Sequence, residues 1–115
     1  MKEILNIFSL EGKKAVITGG TGILGSTIAR GFGRAGAEVA ICYHTVSPDK
    51  VVSELKEEGI KAKAYYIDVM NIEKIRTCCA EIVEDFERID ILLNAAGGEV
   101  KEATTSKELS FFDLP

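Results

Sequence analysis

Four glycines, Gly19, Gly20, Gly22 and Gly25, crowd the segment VITGGTGILG at residues 16 to 25, directly behind a run of apolar residues. Glycine inside a regular element costs about 1 kcal/mol relative to alanine. Such a cluster points to backbone that bends sharply or lets another group come close. Gly19, Gly22 and Gly25 have the spacing G-x-x-G-x-x-G. Between a strand and a helix, glycines so placed make the tight turn and bare the N–H groups that meet a pyrophosphate, with the positive end of the helix behind them. The rival phosphate loop, G-x-x-x-x-G-K-[ST], matches in glycine spacing from Gly20 to Gly25. Ser26 stands where its lysine is required, which argues against a nucleoside triphosphatase.

The flanking elements have the order such a loop needs. KKAVIT, residues 13 to 18, predicts a strand, and in GILGSTIARGFGRAG the positions Leu24, Ile28, Phe32 and Ala35 follow helical spacing up to a closing Gly36. AEVAICY predicts a second, buried strand. Ser47 at the N-cap, Pro48 at the first helical position and Gly59 past the end bracket a second helix. KAKAYYID, residues 61 to 68, predicts a third strand. From Asn71 onward, Ile75, Cys79, Ile82 and Phe86 recur at spacings of four, three and four, the apolar seam of a long third helix. Ile89 to Leu93 predicts a fourth strand. Strands alternating with helices imply parallel βαβ units joined by right-handed crossovers, an α/β fold. From Glu99 to Pro115 the character changes: EVKEATTSKE is polar and loop-like, and LSFFDLP predicts the start of an amphipathic element.

A chain of 115 residues is expected to form one domain. Its formal charge of -4 argues against nucleic acid or an anionic membrane as partner. No window approaches the roughly 20 apolar residues of a membrane span, and MKEILNIFSLEGKK lacks the features of a secretory signal, so a cytoplasmic setting is expected. Cys42, Cys78 and Cys79 are odd in number and have no C-x-x-C spacing, so reduced thiols and no metal are expected, with Cys79 buried on the helix seam.

An NAD site places an acidic side chain at the end of the second strand, about 20 residues beyond the glycine loop. Here that position reads Cys42, Tyr43, His44, Thr45. With no carboxylate there to repel a 2′-phosphate, either NAD or NADP is accommodated, NADP slightly favoured, although no arginine is present to clamp it. His44 is either merely solvated or a helper at that phosphate.

Three stretches together resemble the short-chain dehydrogenase/reductase family, over essentially the whole chain. Thr18-Gly19-Gly20-Thr21-Gly22-Ile23-Leu24-Gly25 resembles its T-G-x-x-G-x-x-G cofactor loop. It departs from the commoner T-G-x-x-x-G-x-G form, because Ile23 takes the place of the middle glycine and Gly22 precedes it. Asp68-Val69 resembles the aspartate-led pair that faces the adenine, and Asn94-Ala95-Ala96-Gly97 resembles the N-[NA]-A-G signature beside the nicotinamide. Within the family, TGGTGILG, DILLNAAGG and the nearby ATT are most similar to the D-mannonate/fructuronate oxidoreductase subgroup.

The resemblance implies a Rossmann-like doubly wound parallel sheet of order 3-2-1-4-5-6-7. Residues 1–115 supply its first four strands, 3-2-1-4, an incomplete sheet that leaves strand 4 as an open edge and calls for a homo-oligomer or another partner. It also implies hydride transfer between nicotinamide and a carbonyl or alcohol substrate. A tyrosine serves there as acid or base, its pKa lowered by a lysine four residues later, with a serine and a relay asparagine beside it. Four residues beyond Tyr43, Tyr65 and Tyr66 stand Ser47, Val69 and Met70, so Y-x-x-x-K is absent. No catalytic residue is therefore expected in this chain, and Asn94 belongs to the signature rather than the relay. The expectation is a truncated, NAD(P)-binding amino-terminal half, inactive alone. The alternative is a short protein that binds a dinucleotide without catalysis, or completes its sheet with a partner.

Overall fold

Continuous apolar runs, rather than alternating ones, mark strands that are covered on both faces, and the computed structural model shows what covers them. It describes residues 6–97 and 104–115. The amino terminus at 1–5, Gly98 and the first part of the polar tail at 99–103 lie outside the described residues. The elements in chain order are β1 (Lys14–Thr18), α1 (Ile23–Arg34), β2 (Glu38–Tyr43), α2 (Asp49–Glu57), β3 (Ala62–Tyr66), α3 (Ile72–Phe86) and β4 (Ile91–Asn94), then a 3-10 turn at Phe111–Asp113. The four strands form one parallel sheet in the order β3-β2-β1-β4. This is the first part of a Rossmann-like α/β sheet.

Side-chain alternation within the strands sorts the core into two layers. Ala15, Ile17, Val39 and Ile41 pack with Ala29 of α1 and Leu55 of α2, whereas Val16, Ala40 and Cys42 pack with Cys78, Ile82 and Phe86 of α3. Two helices thus lie on one face and the third on the other. The chain runs outward from β1 to β2 and β3, then returns to the far side of β1 as β4. A crevice forms outside the carboxyl ends of strands at such a reversal.

Polar contacts pin the layers. Arg30 Nη2 lies 2.9 Å from Glu54 Oε2 and Arg30 Nε 3.0 Å from Glu58 Oε2, joining α1 to α2. Tyr65 Oη donates to Asp85 Oδ2 at 2.6 Å, joining β3 to α3, and burial followed by that carboxylate pushes the phenol pKa up. At the base of the sheet, Asp90 Oδ2 accepts the Lys14 backbone N–H at 2.8 Å and Arg88 Nε at 3.0 Å, while Arg88 also donates to the Gly12 carbonyl.

Several boundaries differ from those expected. The fourth strand starts at Ile91 rather than Ile89, because Asp90 is taken up in the clamp on Lys14. The third is confined to Ala62–Tyr66, and the first begins at Lys14. The second helix begins at Asp49 with Pro48 as its cap residue; Pro48 already has helical dihedrals, and Ser47 Oγ accepts the Asp49 N–H at 3.3 Å. Asn71 caps α3 by accepting the Lys74 N–H, as its position suggests.

The α3 seam corrects one expectation. Cys78 is buried and Cys79 exposed. Successive helical residues point about 100° apart, so the two cannot share one seam. The sheet ends at β4, and the side of α3 that carries Cys79 and Val83 has no covering element among the described residues. LSFFDLP forms only the short turn at Phe111–Asp113, with both phenylalanine rings exposed and stacked edge-to-face on each other at 5.6 Å.

The Lys14 N–H, then Arg88, holds the Asp90 carboxyl below the ordinary carboxylate range. A depressed folded pKa means stability that is present above the unfolded value and lost as pH falls through the folded one. Asp90→Asn is expected to lower the melting temperature at neutral pH and to flatten its decline below about pH 4. Identical melting profiles for the two proteins between neutral and acid pH would contradict the clamp.

Candidate functional site

The carboxyl ends of all four strands meet at the glycine loop. β1 ends at Thr18, whose buried hydroxyl donates to the Leu93 carbonyl at 3.4 Å and accepts the Ala96 N–H at 3.2 Å. The chain then turns at Gly19, with φ of +64°. A Cβ on Gly19 would sit 2.7 Å from the Ala95 carbonyl oxygen, and one on Gly20 would sit 2.8 Å from Ile41 Cγ2. A Cβ on Gly25 would run into the Gly19 carbonyl. These three glycines are demanded by the protein's own packing, which seats α1 against the turn and the turn against β4.

Gly22 is different. Its φ is -75°, a value any residue adopts, and a Cβ there would meet only the Gly19 oxygen, at an ordinary 3.4 Å. Nothing inside the protein requires glycine at this position; its N–H donates to the Gly19 carbonyl at 3.1 Å, and the residue lines a cavity. Gly22 is also the cap residue of α1, with no side-chain cap and no acidic residue in the first turn. The Ser26 and Thr27 hydroxyls donate back to the Ile23 carbonyl. The positive end of α1 therefore opens unsatisfied toward the cavity.

The cavity measures about 680 Å³, a size typical of small-molecule sites. Gly19, Thr21 and Gly22 form one wall, the end of β2 from Cys42 to Val46 another, the segment from Ile67 to Met70 a third, and Ala95 to Gly97 the fourth. Gly20 donates its N–H to the Cys42 carbonyl at 3.1 Å, which locks the loop to β2. His44 Nε2 lies 3.8 Å from Asp68 Oδ2, and the imidazole leans on the Tyr66 ring at 5.8 Å. Tyr66 in turn meets Tyr43 edge-on at 5.9 Å. Asp68 Oδ1 accepts the Met70 N–H, shaping the turn after β3. Beneath the wall, Cys42 Sγ lies 3.9 Å from Cys78 Sγ, and burial pushes the Cys42 thiol pKa well up, so both act as core packing.

Of the residues singled out from the sequence, Gly19, Thr21, Gly22, Tyr43, His44, Thr45, Asp68, Val69, Ala95, Ala96 and Gly97 line this cavity. Thr18, Gly20, Gly25 and Asn94 do not; the first three hold the loop in place, and Asn94 pairs with Thr18 at the strand ends. Ile23 and Leu24 project into solvent from the first turn of α1. Cys42, read with Tyr43 to Thr45 at the end of the second strand, lines the cavity as well, and Val46, Ile67 and Met70 also line it and were missed. The available signal was adjacency, since each flanks a strand end already singled out.

A sequence model of the short chain dehydrogenase family matches residues 13–113, which span all four strands and every wall of the cavity. The chain belongs to this family. Among other short-chain dehydrogenases, it is 39% identical over 107 residues to an uncharacterised oxidoreductase of Haemophilus influenzae, covering 92% of this chain and 38% of the relative. It is 40% identical over 97 residues to a probable NADP-dependent mannitol dehydrogenase of Yarrowia lipolytica, covering 84% of this chain and 35% of that one. A solved structure of a proposed D-mannonate oxidoreductase from Haemophilus influenza, with NAD bound, superposes with a TM-score of 0.75 at 33% identity. It covers 97% of this chain and 44% of its own. The chain thus spans less than half the length of the relatives it matches. Among its described residues, no helix is long and apolar enough to cross a membrane.

The Thr18 hydroxyl is the tie between loop and β4. Thr18→Val, which keeps the shape and removes the bonds, is expected to cost about 1 kcal/mol of stability. Amide exchange at Ala96 should accelerate in the variant; unchanged protection there would show that the tie does not hold the segment.

Proposed function

We propose that this chain is the dinucleotide-binding part of an NAD(P)-dependent short-chain oxidoreductase. The observation that carries the proposal is Gly22, a glycine with no internal reason to be one, set at the open amino end of α1 on a cavity wall. The first-turn N–H groups that follow Gly22 and the positive helix end are complementary to a pyrophosphate. In this reading Gly19, Thr21 and Gly22 receive the phosphates. Tyr43, His44, Thr45, Asp68 and Val69 receive the adenosine half, and Ala95 to Gly97 border the nicotinamide half. A bound nicotinamide would supply or accept the hydride; the residues here bind and orient it.

NAD and NADP both remain admissible, and both are named among the relatives. The absence of a carboxylate at positions 43 to 45 slightly favours NADP. The substrate proposed for the full-length form is a carbonyl or alcohol compound of the sugar-acid class, supported by the sugar-related names of the relatives. The acid–base tyrosine and its lysine are assigned to the part of those relatives that this chain does not span. The exposed Leu92 on edge strand β4 supports a second copy or partner chain along that edge.

Calorimetry with NADPH and NADH tests the reading. Gly22→Val is expected to keep the wild-type melting temperature and to lose at least about tenfold in affinity, some 1.4 kcal/mol. Wild-type affinity in this variant, or no binding of either cofactor to the wild type, would overturn the proposal. With sugar-acid ketones, NAD(P)H oxidation by the 115-residue chain is expected to stay at the rate without enzyme. Robust turnover would contradict the placement of the catalytic groups outside it.

A further inference from the structure

Two thiols from different layers of the fold face each other beneath the cavity wall. Cys42 comes from the end of β2 and Cys78 from the middle of α3, with their Sγ atoms 3.9 Å apart. Both are buried, in the core layer that also holds Ala40, Ile82 and Phe86. Among the described residues, no group of three or more histidines, cysteines and acids could hold a metal ion, so the pair is not part of a ligand set. We propose that Cys42 and Cys78 form a reversible disulfide on oxidation, a covalent brace that ties α3 to the strand end on which the glycine loop is anchored. The anchor is the Cys42 carbonyl, which accepts the Gly20 N–H at 3.1 Å. In the reduced protein the two residues pack the core, and the inference needs no bound ligand.

Bonded sulfurs stand about 2 Å apart, so the pair must close by a further ~2 Å, shared between two χ1 rotations and a small settling of α3 onto the sheet. The side of α3 that carries Cys79 and Val83 has no covering element among the described residues, so that movement displaces no neighbour there. The bridge joins positions 36 apart in sequence, and closing a long loop restricts the unfolded chain strongly. Hydrogen peroxide is the oxidant. One thiolate attacks a peroxide oxygen, the O–O bond breaks, and the sulfur becomes a sulfenic acid as one water is released. The second thiol attacks that sulfur, the S–O bond breaks and the S–S bond forms, releasing a second water. The two sulfurs give up two electrons to the peroxide, and both thiol protons end in water. Burial pushes both thiol pKa values up, so thiolate forms only during local opening and the bridge forms slowly. Cys79 is exposed and points about 100° away from Cys78, so it is open to oxidant but turned away from Cys42.

The experiment treats the full chain carrying Cys79→Ser with hydrogen peroxide under native conditions, then unfolds it, alkylates it with a maleimide and measures the intact mass. The expected product has lost two hydrogens and takes up no maleimide until dithiothreitol is added. Its melting temperature should rise by at least about 5 °C and return to the starting value on reduction. Adding Cys42→Ala or Cys78→Ala should abolish both the mass loss and the rise; where either variant fails to fold, the mass and melting shift of the Cys79→Ser protein decide alone. Two thiols that both remain open to maleimide, or that each gain oxygen separately, would overturn the proposal. So would a bridge that forms only in denaturant, or one that lowers the melting temperature.

Discussion

No side chain fits between the first turn of α1 and the loop that precedes it. A Cβ on Gly25 would occupy the Gly19 carbonyl, and a Cβ on Gly19 would strike the Ala95–Ala96 peptide. This close approach fixes where α1 begins, and so where its unsatisfied N–H groups point. It also brings the end of β4 within reach of Thr18, whose hydroxyl ties the two strand ends together. The cavity follows from the same constraint. The Gly20 N–H holds the end of β2, so the loop is braced on both neighbours of β1, and its open side has only one direction left to face.

Much of this was legible in the residues. Apolar runs with glycine stops at Gly36 and Gly59 marked all three helices and four strands, and alternation fixed the parallel α/β class. Strand order followed from the family resemblance and is the order observed. What the motif could not separate was glycine for packing from glycine for a ligand. G-x-x-G-x-x-G reads alike at Gly19, Gly22 and Gly25, yet only at Gly22 does the surrounding structure leave the position free. At Gly19 that distinction depends on the Ala95–Ala96 peptide, more than 70 residues away in sequence, and at Gly25 on the Gly19 carbonyl folded back by the turn.

The misreadings have a common cause in tertiary context. Spacing alone placed Cys79 on the seam of α3, and the position of the sheet beneath chooses Cys78 instead. Ile89 and Asp90 look like strand residues by neighbourhood, but Asp90 spends its carboxylate and its N–H on Lys14 before the ladder begins. Asp68 was singled out from the sequence on its own, but its place 3.8 Å from His44, across the ends of β2 and β3, was not. Spacing along one strand could not reveal a pairing that only adjacent parallel strands create.

The central claim, that the backbone of the glycine loop holds a dinucleotide pyrophosphate, is tested most directly by following the amide resonances of the chain during titration with NADPH. The expected shifts are strongest at Gly19 to Leu24 and extend to the strand ends at 43–46, 67–70 and 95–97. The groove of about 490 Å³ outside α2, lined by Val52, Lys56 and Ala64 among others, should stay silent. Saturating cofactor that leaves Gly22 and the first turn of α1 unmoved, or that shifts only the outer groove, would contradict the account.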